Sequence, residues 1–219
     1  MEKILYSCAI GSLMYAQVCS RPDITFSISV LSRYLSNSGW SHWKSAKKVM
    51  RYLQGTKNYM LTYERSSNLE VIGYSDSDFT GCVDDKKSTF DYIFMMSGGA
   101  VSWKKYVACY EATCQAIWLK KLISGMFVIE SISRPLTIYC DNALAVCFSQ
   151  NHRNFSRPNH FDVKFLFVRE KIHESHTRIE HITTDRMIAD PLTKSLPISV
   201  FQKHVGHMGV LKSFDDALV

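Results

Sequence analysis

From Leu69 onward the chain alternates segments of two incompatible hydrophobic periods, and that alternation leaves few folds open to it. "LEVIGYSDSDFTG" reads as a strand that ends in carboxylates and a turn. "FDYIFMMSGGAVSW" reads as a hairpin with Gly98 and Gly99 at the bend. "YVACYEATCQAIWLKKLI" has helical spacing, with Val107, Tyr110, Cys114, Ile117 and Trp118 as its apolar stripe. "PLTIYCDNALAVCF" is a buried strand running into a helix. "HFDVKFLFVREKIHE" is helical, with Phe161, Phe165, Val168 and Ile172 aligned. "TRIEHITT" is a last strand, and "MIADPLTKSLPISVFQKHV" a terminal helical segment. An opening hairpin followed by alternating strands and helices predicts an α/β fold with a mixed sheet.

The residues before Asn68 read differently. In "SRPDITFSISVLSRYLS" Ser20 can cap a helix, Pro22 suits its first turn, and Ile24, Ile28, Leu31 and Leu35 share a face. In "SHWKSAKKVMRYLQGT" Ser41 can cap and Gly55 can terminate, with Trp43, Ala46, Met50 and Leu53 as the stripe. Lys44, Lys47, Lys48 and Arg51 lie off it, as a solvated or a phosphate-facing surface. "YMLTYE" is a short strand candidate, and "RSSN" breaks the chain. The expected organisation is a mainly helical unit over 1–68, an α/β domain over 69–212 and a tail over 213–219.

The net charge of +6 permits a polyanionic partner without demanding one. The seven cysteines include no C-x-x-C pair, so they are expected to be reduced and buried, as in an intracellular protein. No apolar run reaches the ~20 residues of a membrane span, which implies a soluble protein without a membrane partner.

Three acidic residues stand at element exits: Asp76 in "YSDSD", Asp141 after "TIYC" and Asp190 in "MIADPLTK". Ligands gather at the carboxyl edge of such sheets, and converging carboxylates suit Mg²⁺ or Mn²⁺. Spacing alone leaves open that Asp141 caps a helix and that Asp76 serves a turn.

Nearly the whole chain resembles the C-terminal part of the Pol polyprotein of copia-type LTR retrotransposons. The matching stretches are "AIGSLMYAQVCSRPDITFSISVLSRYLSN", "HWKSAKKVMRYLQGT", "GYSDSDFTGCVDDKKST", "GGAVSWK", "YCDNALAV", "NHFDVKFLFVREKI" and "IADPLTKSLP", in the family's order. The resemblance implies a reverse transcriptase thumb-and-connection remnant over 1–68. It implies a ribonuclease H-like, five-stranded mixed sheet flanked by helices over 69–212. Such domains cut the RNA strand of an RNA–DNA hybrid with two Mg²⁺ ions. The metal-binding aspartates become Asp76, Asp141 and Asp190, with Asp78 a neighbour. His181 becomes a candidate proton shuttle, against the alternative of an inert strand histidine. Lys104, Lys105, Lys164 and Lys171 become candidate nucleic-acid contacts, against ordinary solvated lysines. The rest of a Pol protein becomes a candidate partner in the cytoplasm or nucleus.

One stretch departs from the family. Between "VSWK" and "YVACYEA" it carries a loop with S-T-x-E-A-E, whose first glutamate is the fourth metal ligand. Here Lys105 joins Tyr106 directly, so about fifteen family positions are missing, more than an ordinary short loop. Glu111 lies about two turns beyond the lost position, roughly 12 Å along a helix axis. Where the family has Ser-Gly in "KSTSGY", this chain has Phe90 and Asp91, a substitution that strains the backbone if φ is positive there. The helix after the join is expected to start at Tyr106. The readings that follow are a ribonuclease H impaired by the missing glutamate, a non-catalytic nucleic-acid-binding remnant, or the inert product of a decayed element. With no polymerase palm motif in the sequence, the chain is not expected to copy nucleic acid itself.

Overall fold

A computed structural model of the protein describes residues 3–65, 69–78, 89–104, 109–126, 134–150 and 160–212. Five strands form one sheet: β2 (Val71–Asp78), β3 (Thr89–Met96), β4 (Gly99–Lys104), β5 (Leu136–Cys140) and β6 (Thr177–His181). Its order is β4-β3-β2-β5-β6, antiparallel across β2, β3 and β4 and parallel across β2, β5 and β6. The parallel steps need crossovers, and helices supply them. α4 (Cys109–Gly125) lies between β4 and β5, and α5 (Ala143–Gln150) and α6 (His160–His173) lie between β5 and β6. This is the mixed five-stranded sheet flanked by helices that the sequence predicts.

Alternation along the strands gives the sheet two buried faces. On one, Val71, Phe94, Ile138 and Ile179 pack against Ala112, Ala116, Leu119 and Ile123 of α4 and Val168 of α6. On the other, Ile93, Met95 and Ala100 meet Met187, Ala189 and Leu192 and then Val205, Met208 and Val210. Those partners come from α7 (Asp190–Thr193), α8 (Ile198–His207), β7 (Val210–Leu211) and the turns before them. Pro197 stands between α7 and α8 as the N-cap of α8. The expected stripe of α4 is therefore rotated. Small Ala112 and Ala116 let the helix approach the sheet closely, and Trp118 faces outward at 54% exposure.

The β3–β4 hairpin turns at Ser97–Gly98, with φ of 52° and 76°, and not at Gly98–Gly99 as expected. Positive φ at both central residues is the type I′ geometry that matches strand twist. Gly99 opens β4 instead, and glycine is needed there for a steric reason. A Cβ at Gly99 would collide with the Thr62 carbonyl and the Tyr63 ring. Asp91 sits in regular strand without positive φ, so the predicted strain is absent.

Helices α1 (Lys3–Cys19), α2 (Thr25–Ser32) and α3 (Trp40–Gly55) enclose a separate core of Tyr6, Ile10, Leu13, Ile24, Ile28, Leu31, Ala46 and Val49. Leu35 lies beyond the end of α2 and is 37% exposed, outside the expected stripe. Neither predicted serine cap is used. Pro22 opens a short 3₁₀ turn after Arg21, and α3 is preceded by Gly39, whose N–H donates to His42 Nδ1 at 2.9 Å. The buried Arg21 guanidinium clamps Asp23 at 2.9 and 2.6 Å, and the Tyr52 hydroxyl donates to Asp23 Oδ2 at 2.7 Å. This network locks the chain reversal between α1 and α2 onto α3.

The helical unit and the sheet are tied together across the boundary expected near Asn68. β1 (Met60–Leu61) pairs with β7, and the Thr62 N–H donates to the Gly209 carbonyl at 2.8 Å. The Glu64 N–H reaches the Ser97 carbonyl at 2.7 Å, and Trp103 Nε1 donates to the Gln17 carbonyl at 3.0 Å. Among the described residues no cysteine is in a disulfide. Cys8, Cys19 and Cys147 are exposed, against the expected burial, because they lie on the outward faces of α1 and α5. No described helix is long and apolar enough to cross a membrane.

Candidate metal centre

The register of β2 and β5 sets the centre. Ser75 pairs with Cys140, so the next residues, Asp76 still within β2 and Asp141 just past β5, lie side by side. Alternation turns Asp76 away from the α4 face and toward α7. Asp190 is the first residue of α7, and the buried Ala189 and Leu192 on either side press that turn onto the same face. Each of the three carboxylates offers an oxygen within 4.8 Å of the others. Asp76 and Asp190 are 1% and 4% exposed.

Three carboxylates this close repel one another and are costly to bury unless something positive stands among them. Lys194 does so. Its Nζ lies 3.2 Å from Asp76 Oδ2, 3.2 Å from Asp190 Oδ1 and 4.0 Å from Asp141 Oδ2. Thr193 Oγ1 donates to Asp76 Oδ2 at 2.6 Å, a short charge-assisted bond. Burial pushes the Asp190 carboxyl up to about 6, with Asp76 and Asp141 adding to the rise and Lys194 opposing it. Asp141 is raised for the same reasons, burial first and Asp76 next. Burial alone would lower the Lys194 ammonium, but Asp76 and Asp190 hold it above its ordinary range. The donor set is all hard oxygen, partly enclosed and already organised around one cation. It fits a divalent ion such as Mg²⁺ or Mn²⁺.

Neither Lys194 nor Thr193 was singled out in the sequence. The available signal was "DPLTK", in which one helical turn from Asp190 returns positions i+3 and i+4 to the same side.

Other candidates stand apart. His181 ends β6 with Cys140 as its register partner, and Cys140 belongs to the core on the α4 face. The imidazole is exposed and outside the carboxylate cluster. Lys171 donates to Glu170 at 3.0 Å and Glu174 at 2.7 Å, so its charge is already matched. Lys104 ends β4 and lies 3.7 Å from Glu111 in the first turn of α4, with both side chains well exposed. Glu111 is not among the clustered carboxylates. Lys105, the predicted helix start at Tyr106 and the side chains of Asp78 and Lys164 lie outside the described residues.

No protein-family model matches the chain. Individual proteins do. The retrovirus-related Pol polyprotein from transposon TNT 1-94 of Nicotiana tabacum is 36% identical over 216 residues, covering 92% of this chain and 16% of that protein. The one from transposon RE2 of Arabidopsis thaliana is 29% identical over 221 residues, covering 94% and 15%. The chain belongs to the copia-type Pol family. It spans about one-sixth of the length of these Pol relatives. A secreted RxLR effector protein of Plasmopara viticola is 38% identical over 133 residues, 54% of this chain and 94% of its own. Among solved structures, a ribonuclease H1 in complex with RNA/DNA hybrid matches over 68% of this chain and all of its own. That match has 15% identity and a TM-score of 0.37, too loose to bear on the site. The ribonuclease H-like fold rests on strand order and direction in this copia-type Pol segment.

The alignments are longer than the stretches of this chain they cover. The tobacco alignment runs 216 positions, yet 92% of 219 residues is about 201, so about 15 positions have no counterpart here. The effector alignment behaves alike, with 133 positions against 54% of 219, or about 118 residues. In both, about 15 positions of the relative lack a residue of this chain, the same number that the resemblance gives for the missing loop.

Proposed function

We propose that Asp76, Asp141 and Asp190 form the divalent-metal centre of a ribonuclease H-type nuclease acting on RNA–DNA hybrid, and that this chain carries it in impaired form. The observation behind this reading is the convergence of the three carboxylates at the carboxyl ends of β2 and β5. Asp76, Asp141 and Asp190 would hold Mg²⁺ or Mn²⁺, which supplies activation of a water and charge stabilisation for the leaving oxygen of a phosphodiester. Thr193 and Lys194 orient Asp76, the most enclosed of the three. The impairment lies in what is missing: the family's fourth carboxylate belongs to the loop this chain lacks, and no described glutamate replaces it. Residues 1–68 we read as a thumb-and-connection remnant, whose working partner would be the rest of a Pol protein.

The test compares hybrid cleavage by this chain, by the chain with the loop and its glutamate restored, and by the restored chain with that glutamate changed to glutamine. The restored chain should cleave about 10²–10³ times faster than the other two, the loss typical of removing one preorganised charge-stabilising group. Equal rates for the unmodified and restored chains would refute impairment. An undiminished rate in restored Asp76→Asn would refute the metal centre.

A further inference from the structure

We infer that Lys194 occupies the place of one metal ion, so that this centre takes a single divalent cation per chain. The inference rests on the metal-centre reading above. Its ground is geometric: one ammonium lies 3.2, 3.2 and 4.0 Å from oxygens of all three carboxylates. Two cations at such a centre would stand about 3.5–4 Å apart and share ligands. Lys194 takes one oxygen of each carboxylate, which leaves three of the six for metal, a set suited to one ion. The charge count agrees. Three carboxylates carry −3, Lys194 reduces that to −2, and one divalent ion neutralises it. A second ion would leave these three carboxylates and Lys194 at +2, and the further carboxylate on this face, the buried Asp91 opposite Asp76, stands outside the cluster.

The Lys194 side chain is held where it stands. It is 30% exposed, and its backbone N–H donates to the Asp190 carbonyl at 2.9 Å, closing the α7 turn. Its reach to the carboxylates is therefore built into the turn that carries Asp190. Lys194 is a positioning residue here: it sets how many ions the carboxylates accept and meets no substrate atom itself.

The experiment measures Mn²⁺ alone binding to the full chain, with free Mn²⁺ followed by electron paramagnetic resonance. Wild type should bind one Mn²⁺ per chain. Lys194→Met should bind a second, or hold its first at least tenfold tighter, and Lys194→Arg should restore the wild-type number. Two Mn²⁺ on wild type would overturn the inference while leaving the metal centre intact. So would an unchanged number and affinity in Lys194→Met. Should Lys194→Met fail to fold, Lys194→Gln is measured in its place against the same outcomes. Binding by neither wild type nor Lys194→Met overturns the metal centre and the inference with it.

Discussion

Replacing Asp190 with asparagine should make the metal-free protein more stable, although it removes a buried ion pair. Asparagine keeps the shape of aspartate, and its Oδ1 can still accept from Lys194 Nζ, 3.2 Å away in the wild type. What it removes is the third negative charge of a cluster whose oxygens lie within 4.8 Å. The cost of that charge follows from the carboxyl being pushed up to about 6 from an ordinary 3.8. A shift of about two units corresponds to about 3 kcal/mol of penalty on the ionised form. Asp190 also starts a helical turn, where a negative charge contributes about 0.3–1 kcal/mol that asparagine gives up. The net gain should be about 1–3 kcal/mol at pH 7.5 in chelator, a rise in Tm of about 2–10 °C for a chain of this size.

The pH dependence fixes the sign. The folded carboxyl titrates near 6 and the unfolded one near 3.8, so between them the folded state binds the extra proton. Asp190 therefore costs the wild type stability as pH rises from about 4 to about 6, a contribution that the asparagine variant lacks. The variant's advantage should be full above pH 6.5 and gone near pH 4. Thermal unfolding in chelator at pH 4, 5, 6 and 7.5 measures this. A variant less stable than wild type at pH 7.5, or equally advantaged at pH 4 and 7.5, refutes the electrostatic account. In excess Mn²⁺ the order should reverse, because only the wild type offers the ion three carboxylates.

Three further outcomes are expected. Asp23→Ala leaves the Arg21 guanidinium buried without its carboxylate and should lower stability by about 3–5 kcal/mol in urea unfolding, with Arg21→Ala similar. Gly99→Ala drives a Cβ into the Thr62 carbonyl and should cost about 1–3 kcal/mol, with hydrogen exchange rising first at the Thr62 and Ala100 amides that bind Gly209 and Met208. Trp118→Gln should change stability by less than about 0.5 kcal/mol, whereas Ala116→Leu, on the sheet-facing side of the same helix, should cost about 1–3 kcal/mol by denaturant unfolding.

How much of this was legible depends on the range of the interaction. Strands were legible because period-2 runs such as "VIGYSDSD" are local, and all five strands of the main sheet lie where the pattern puts them. Asp76 and Asp141 were candidates because strand ends are positions the sequence marks, but only the resemblance to copia-type Pol separated them from an ordinary turn and cap. The stripe of α4 was not, because it was read from the bulkiest apolar residues. The face that packs is chosen by how near the helix must come to the sheet, and that favoured Ala112 and Ala116 over Trp118. Nor was the β1–β7 pair, in which two two-residue strands about 150 positions apart make a ladder too short to leave a pattern.

Lys194 shows the limit most clearly. In the sequence it is one of 26 basic residues and sits in a turn, where lysine is commonplace. Its one local mark is Asp190 a helical turn before it, and Lys171, a candidate phosphate contact, has Glu174 at a similar spacing. Folding separates them by the company each keeps. Lys171 meets Glu170 and Glu174, its own neighbours in sequence, and their attraction is spent locally. Lys194 meets Asp76 and Asp141, delivered from two other strands, and so takes part in the only carboxylate cluster of its kind among the described residues. The same side chain is matched by its own helix in one place and is a counter-cation between elements in the other, and the difference is carried by the register of β2 against β5 and by the seating of α7 beside them.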